Sequence, residues 1–123
     1  MIIGTGIDLE PIARIENLIK RYEDSELEMI FTKDELKQCR TALNPGLYYT
    51  ICFSTKESVG KSLGTGLSDI NWIDIEAIIF KDKVRVNLYN NAERILKLNR
   101  ITKIVINWEI IDRHVLTTAI ASR

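Results

Sequence analysis

The period of the hydrophobic residues changes near Gly66, and that change limits the fold more than any other feature of the chain. Before it, apolar residues recur at three and four positions; after it, they mostly alternate with polar ones. Ile12, Ile15, Leu18 and Ile19 predict a helix from Pro11, well placed for a first helical turn, to about Tyr22. Thr32-Lys-Asp-Glu35 has the pattern of a capping box, opening a second helix that should stop before a turn at Asn44-Pro45-Gly46. A third helix is expected from about Tyr48 to Leu63. It carries Cys52, Phe53, Lys56, Val59, Gly60 and Leu63 on one face, Glu57 and Lys61 on the other, and Gly64 as its C-cap.

Beyond Gly66, Trp72 to Ile79 and Val84 to Leu88 alternate around a turn at Lys81-Asp82-Lys83, the pattern of a hairpin. Asn90 or Asn91 caps a helix reaching Leu98, and the runs Ile104 to Ile111 and Val115 to Ala121 flank a polar Asp112-Arg113-His114 turn. At the other end, Met1 to Ile7 is an apolar run broken by Gly4 and Gly6, as expected of a buried strand whose backbone comes close to another element, with Asp8 at its end. Helices grouped apart from hairpins predict an α+β fold with an antiparallel sheet and helices packed on one side.

A chain of 123 residues, 46% hydrophobic, fits one domain over 1–123 and leaves no room for a second core. Lysine plus arginine (17) balances aspartate plus glutamate (17), so overall charge calls for neither nucleic acid nor membrane as partner. Cys39 and Cys52 match no metal spacing and read as reduced core thiols of a cytoplasmic protein. No apolar run approaches the ~20 residues of a membrane span, so a soluble, unsecreted chain is expected.

Two nucleotide motifs fail on inspection. Gly60-Lys61-Ser62 lacks the P-loop glycine, Thr55 standing in its place, and Gly4-Thr-Gly6 lacks the third glycine of a dinucleotide fingerprint, which is Leu9 here. Three other features have ordinary readings beside functional ones. Asp8 is a natural helix cap or a ligand; Glu57 closes the capping pattern Ser54-Thr-Lys-Glu57, pairs with Lys61 one turn on, or does chemistry. Gly64-Thr65-Gly66 is a C-cap and turn, or a run of amides that cradles phosphate oxygens.

Taken together, GTGIDLEPIARIE and FSTKESVGKSLGTG resemble the two signatures of the holo-acyl-carrier-protein synthases, the small class of phosphopantetheinyl transferases, and MIFTKDELKQCR between them resembles the family's intervening helix. The resemblance covers residues 1 to about 67. It implies transfer of 4′-phosphopantetheine from coenzyme A to a serine of an acyl carrier protein, releasing adenosine 3′,5′-bisphosphate, in the cytoplasm and in fatty acid biosynthesis. It implies a magnesium ion held by Asp8 and Glu57, which suits a hard cation that takes carboxylates, water and phosphate oxygens. Glu57, or a water it positions, is then the base, and Lys61 the cation on the pyrophosphate. Gly64, Thr65 and Gly66 approach the nucleotide, and Arg14 contacts the acidic carrier helix. The family also implies a homotrimer with clefts between subunits.

The resemblance weakens in the second half. The family's Gly-Lys-Pro turn reads Asp82-Lys83-Val84, and the strand that usually ends in a Ser-x-Ser-His motif reads Ile104 to Glu109, with Trp108-Glu109 where a histidine is usual. The single histidine, His114, lies in the next turn. These departures bear on contacts to the coenzyme A 3′-phosphate more than on the metal. They are also the ground for an alternative, a relative that keeps the fold and binds carrier or nucleotide without efficient transfer.

Overall fold

The computed structural model describes all 123 residues. The elements run β1 (Ile2–Pro11), α1 (Ile12–Arg21), α2 (Asp24–Leu27), α3 (Lys33–Arg40), α4 (Pro45–Ser62), a 3₁₀ turn (Trp72–Asp74), β2 (Ile75–Phe80), β3 (Lys83–Leu88), α5 (Asn90–Leu98), β4 (Lys103–Ile111) and β5 (His114–Ser122). Five strands make one antiparallel sheet in the order β1-β5-β4-β3-β2. The expected α+β fold and both hairpins are present.

Four expectations are corrected. Neither Asn90 nor Asn91 caps α5: Tyr89 holds the N-cap position with no side-chain bond, and the Asn90 amide donates to Asp74 Oδ1 at 3.1 Å. Asn44-Pro45-Gly46 is not a turn: the Asn44 side chain accepts the Leu47 N–H, and Pro45 begins α4 where its missing N–H costs nothing. Strand β1 does not end at Ile7 but continues through Asp8 to Pro11, paired with β5 all the way to His114. Trp72 to Asp74 forms a 3₁₀ turn, so β2 begins only at Ile75. The capping box at Thr32 and Glu35 forms as the sequence suggests, each side chain bonding the other's backbone N–H.

Helix α4 lies across one face of the sheet and is buried over most of its length. It sits close to β1 because β1 offers glycine at the crossing: a Cβ on Gly4 would strike the Ser62 carbonyl oxygen, and one on Gly6 the Ser58 carbonyl oxygen. Lys56, in mid-helix, is fully buried. Its ammonium donates to Glu35 Oε1 at 2.6 Å and to the Trp72 and Ile75 carbonyls, while Glu35 Oε2 accepts the Ala77 N–H at 2.9 Å. This network joins α3, α4 and β2. Nearby, Cys39 and Cys52 are free buried thiols with sulfurs 3.8 Å apart; the neighbouring sulfur and burial push the Cys52 thiol well up.

The other face of the sheet carries exposed apolar side chains, Ile7, Leu9, Val105 and Ile120 among them. No helix of the chain is long and apolar enough to cross a membrane.

Candidate active site

Alternation along β1 turns Gly6, Asp8 and Glu10 toward α4 and leaves Thr5, Ile7 and Leu9 exposed. Asp8 is therefore a mid-strand residue facing a helix, not a helix cap, and Glu57 lies in the interior of α4, so neither ordinary capping role applies. Asp8 Oδ2 accepts the Ser54 hydroxyl at 2.8 Å, and Asp8 Oδ1 lies 3.7 Å from the Lys61 ammonium. Lys61 also donates to the Ile7 carbonyl at 2.8 Å. The ordinary alternative for Glu57, an i,i+4 pair with Lys61, does not form as a salt bridge; Lys61 reaches across to β1 instead.

Three carboxylates share this corner. Burial, then the charge of Asp8, holds Glu57 above the usual carboxylate range, with Lys61 and Arg14 pulling it down. Burial, then Asp8, likewise raises Glu10, opposed by Arg14. Glu10 is buried and accepts from Arg14 at 2.7 Å, while the Arg14 side chain stays 65% exposed. Arg14 therefore stands at the rim of the acidic corner with most of its surface toward solvent.

Asp8 and Glu57 supply hard oxygen donors, Asp8 Oδ1 faces no neutral donor, and the mutual repulsion of the acids is what a cation relieves. The chemistry of this donor set fits magnesium. No group of three or more histidine, cysteine, aspartate or glutamate side chains converges into a closed cage, so the remaining positions of such an ion would fall to water and phosphate.

Past α4, Gly64 and Gly66 have φ of 87° and 59°, and nothing lies where a Cβ on either would go. Glycine is needed there for backbone conformation alone. The Gly64 N–H donates to the Lys61 carbonyl and the Gly66 N–H to the Gly60 carbonyl, each at 3.0 Å, so of the three amides only that of Thr65 has no partner in the protein. The expected cradle narrows to one N–H.

The lone histidine is taken up locally, with Nδ1 2.6 Å from the Asp112 carbonyl oxygen. Trp108 lies opposite Thr117, which lies opposite Asp8, so the three form one row across β4, β5 and β1. The indole packs against the core with a buried Nε1 that has no partner. Ser54, Glu10 and Thr117 were not singled out from the sequence. Asp-x-Glu on one strand face was the available signal for Glu10; the two hydroxyls gave none.

A model of the 4′-phosphopantetheinyl transferase superfamily matches residues 4–119. A holo-[acyl-carrier-protein] synthase of Natranaerobius thermophilus is 32% identical over 99% of this chain and 95% of its own length. One from Geobacter sp. (strain M21) is 37% identical over 79% of each chain. Among solved structures, the holo-[acyl-carrier-protein] synthase of Neisseria meningitidis superposes with a TM-score of 0.86 over 100% of both chains at 25% identity.

Proposed function

Because the chain belongs to the 4′-phosphopantetheinyl transferase superfamily, we propose that it moves the phosphopantetheine arm of coenzyme A onto a serine hydroxyl of an acyl carrier protein, with magnesium held by Asp8 and Glu57. The carrying observation is the convergence of Asp8, Glu57 and Lys61 where α4 crosses β1. Magnesium bound there would polarise the phosphorus centre and offset charge on the departing phosphate.

The rest falls to side chains. The serine oxygen attacks the β-phosphate, its O–H bond and the bond to the adenosine bisphosphate leaving group break, and the product is the phosphopantetheinyl serine. Glu57 takes the serine proton directly or through a water that it positions. Lys61 has three N–H donors, of which Ile7 takes one and Asp8 attracts a second, leaving one for the pyrophosphate. Thr65 contributes its amide and the flanking glycines their open surface. Arg14 is the exposed basic group for an acidic carrier helix, matching charge to charge.

The exposed apolar sheet face supports self-association, as a trimer in which each cofactor cleft is completed by a neighbour. Light scattering of a clean monomer with full activity would refute this part. The setting is the cytoplasm and fatty acid biosynthesis. Incubation with apo-carrier protein, coenzyme A and magnesium, read by intact mass, tests the central reading: appearance of the added arm on the carrier supports it, and an unmodified carrier favours the binding-only alternative.

A further inference from the structure

Ser54 lies one helical turn before Glu57, and Thr117 lies directly across from Asp8 in the β1–β5 register. Both side chains are fully buried. Ser54 Oγ is 2.8 Å from Asp8 Oδ2 and 2.8 Å from Thr117 Oγ1, and Thr117 Oγ1 also reaches the Ser54 carbonyl at 3.1 Å.

Counting protons fixes the direction of this chain. An ionised carboxylate only accepts, so the single Ser54 proton goes to Asp8. The hydrogen between the two hydroxyls must then come from Thr117, which shares it with the Ser54 carbonyl. The result is a relay, Thr117 to Ser54 to Asp8, closed to water, in which each bond polarises the next. It engages Oδ2 alone, while Oδ1 is left on the Lys61 side.

We propose that Ser54 and Thr117 are positioning residues for Asp8, locking Oδ2 so that only Oδ1 is presented to the divalent cation. The inference rests on the metal reading given above and adds the residues that orient its ligand. Partners that orient a ligand in this way cost about 10–100-fold in metal affinity when removed. The two hydroxyls come from different elements, α4 and β5, so the orientation of Asp8 depends on three elements at once.

The test is Mn²⁺ titration of the full chain with coenzyme A present and carrier protein absent, followed by electron paramagnetic resonance, for wild type, Asp8→Ala, Ser54→Ala, Thr117→Val and Thr117→Ser. The expected result is Mn²⁺ binding weakened ~10–100-fold in Ser54→Ala and Thr117→Val, with Thr117→Ser, which keeps the hydroxyl, close to wild type. The magnesium concentration for half-maximal transfer should rise in step, and saturating magnesium should restore most of kcat. Lowered melting temperatures with unchanged Mn²⁺ affinity would make the relay structural and overturn the proposal. Unchanged affinity in Asp8→Ala would overturn it too, and would remove the metal reading beneath it. Should Ser54→Ala not fold, the Thr117→Val and Thr117→Ser pair decides alone.

Discussion

Lys56 and Glu35 form an ion pair 2.6 Å long with neither side chain exposed, although the sequence puts Lys56 on the apolar face of its helix beside Phe53 and Val59. The lysine stem reaches through the core and its head meets three oxygens, from Glu35, Trp72 and Ile75. Burial still outweighs the ion pair in holding Glu35 above the ordinary carboxylate range. Removing either partner leaves an uncompensated charge, so Lys56→Met or Glu35→Gln alone should cost about 3–5 kcal/mol, seen as a lower midpoint in urea. The double variant Lys56→Met/Glu35→Gln should lose less than the two single losses combined, and a fully additive loss would show that the pair is not one unit.

Asp8→Ala and Glu57→Ala should each abolish nearly all arm transfer by intact mass, with little change in far-ultraviolet circular dichroism. Asp8 sits mid-strand and Glu57 mid-helix, so neither change removes a cap. Near-normal turnover of either at saturating magnesium would count decisively against the metal assignment.

Lys61 separates chemistry from structure. Its side chain is 48% exposed and its contact to Asp8 is 3.7 Å, a pairing worth only about 0–1 kcal/mol. Lys61→Ala should therefore leave the melting temperature nearly unchanged and lower turnover by roughly 100-fold or more, as when a preorganised electrostatic donor is lost. A clear loss of stability with normal turnover would reverse that assignment.

Glu76 makes stability depend on pH. Burial pushes its carboxyl up, but hydrogen bonds from Thr32, Asn87 and Tyr89 outweigh this and hold it below the ordinary value. A lowered folded pKa stabilises above the unfolded value, about 4.3, and the gain is lost as pH falls through the folded value. The difference in melting temperature between wild type and Glu76→Gln should be full near neutrality and shrink in acid. A gap that widens in acid would contradict it.

Gly6→Ala should be costly out of proportion to its size. The new Cβ meets the Ser58 carbonyl oxygen, forcing α4 away from β1, and overpacking of this kind costs about 1–3 kcal/mol. Because the same crossing brings Asp8 to Glu57, transfer measured well below the melting temperature should fall as well.

Local signals carried most of the fold. The alternating runs became β2 through β5, and the Thr32 capping box opened α3. Asn44-Pro45-Gly46 misled because an Asn-Pro pair opens a helix as readily as a turn. The length of β1 was hidden because only pairing with β5, more than a hundred residues away, carries it past Asp8. At the site, Asp8, Glu57 and Lys61 stood out by residue type. Ser54 did not: it bonds a residue 46 positions away, and a serine inside a helix ordinarily turns to its own backbone. Lys61 was given the nearer partner by helical spacing, but the fold brought Asp8 into reach.

Because α4 rests on β1 through main-chain oxygens at Gly4 and Gly6, that spacing has no adjustable part. Elsewhere a larger side chain can be accommodated when a neighbour shrinks, but a carbonyl oxygen has no smaller substitute. In a saturation library selected for activity, positions 4 and 6 should return glycine whatever else varies.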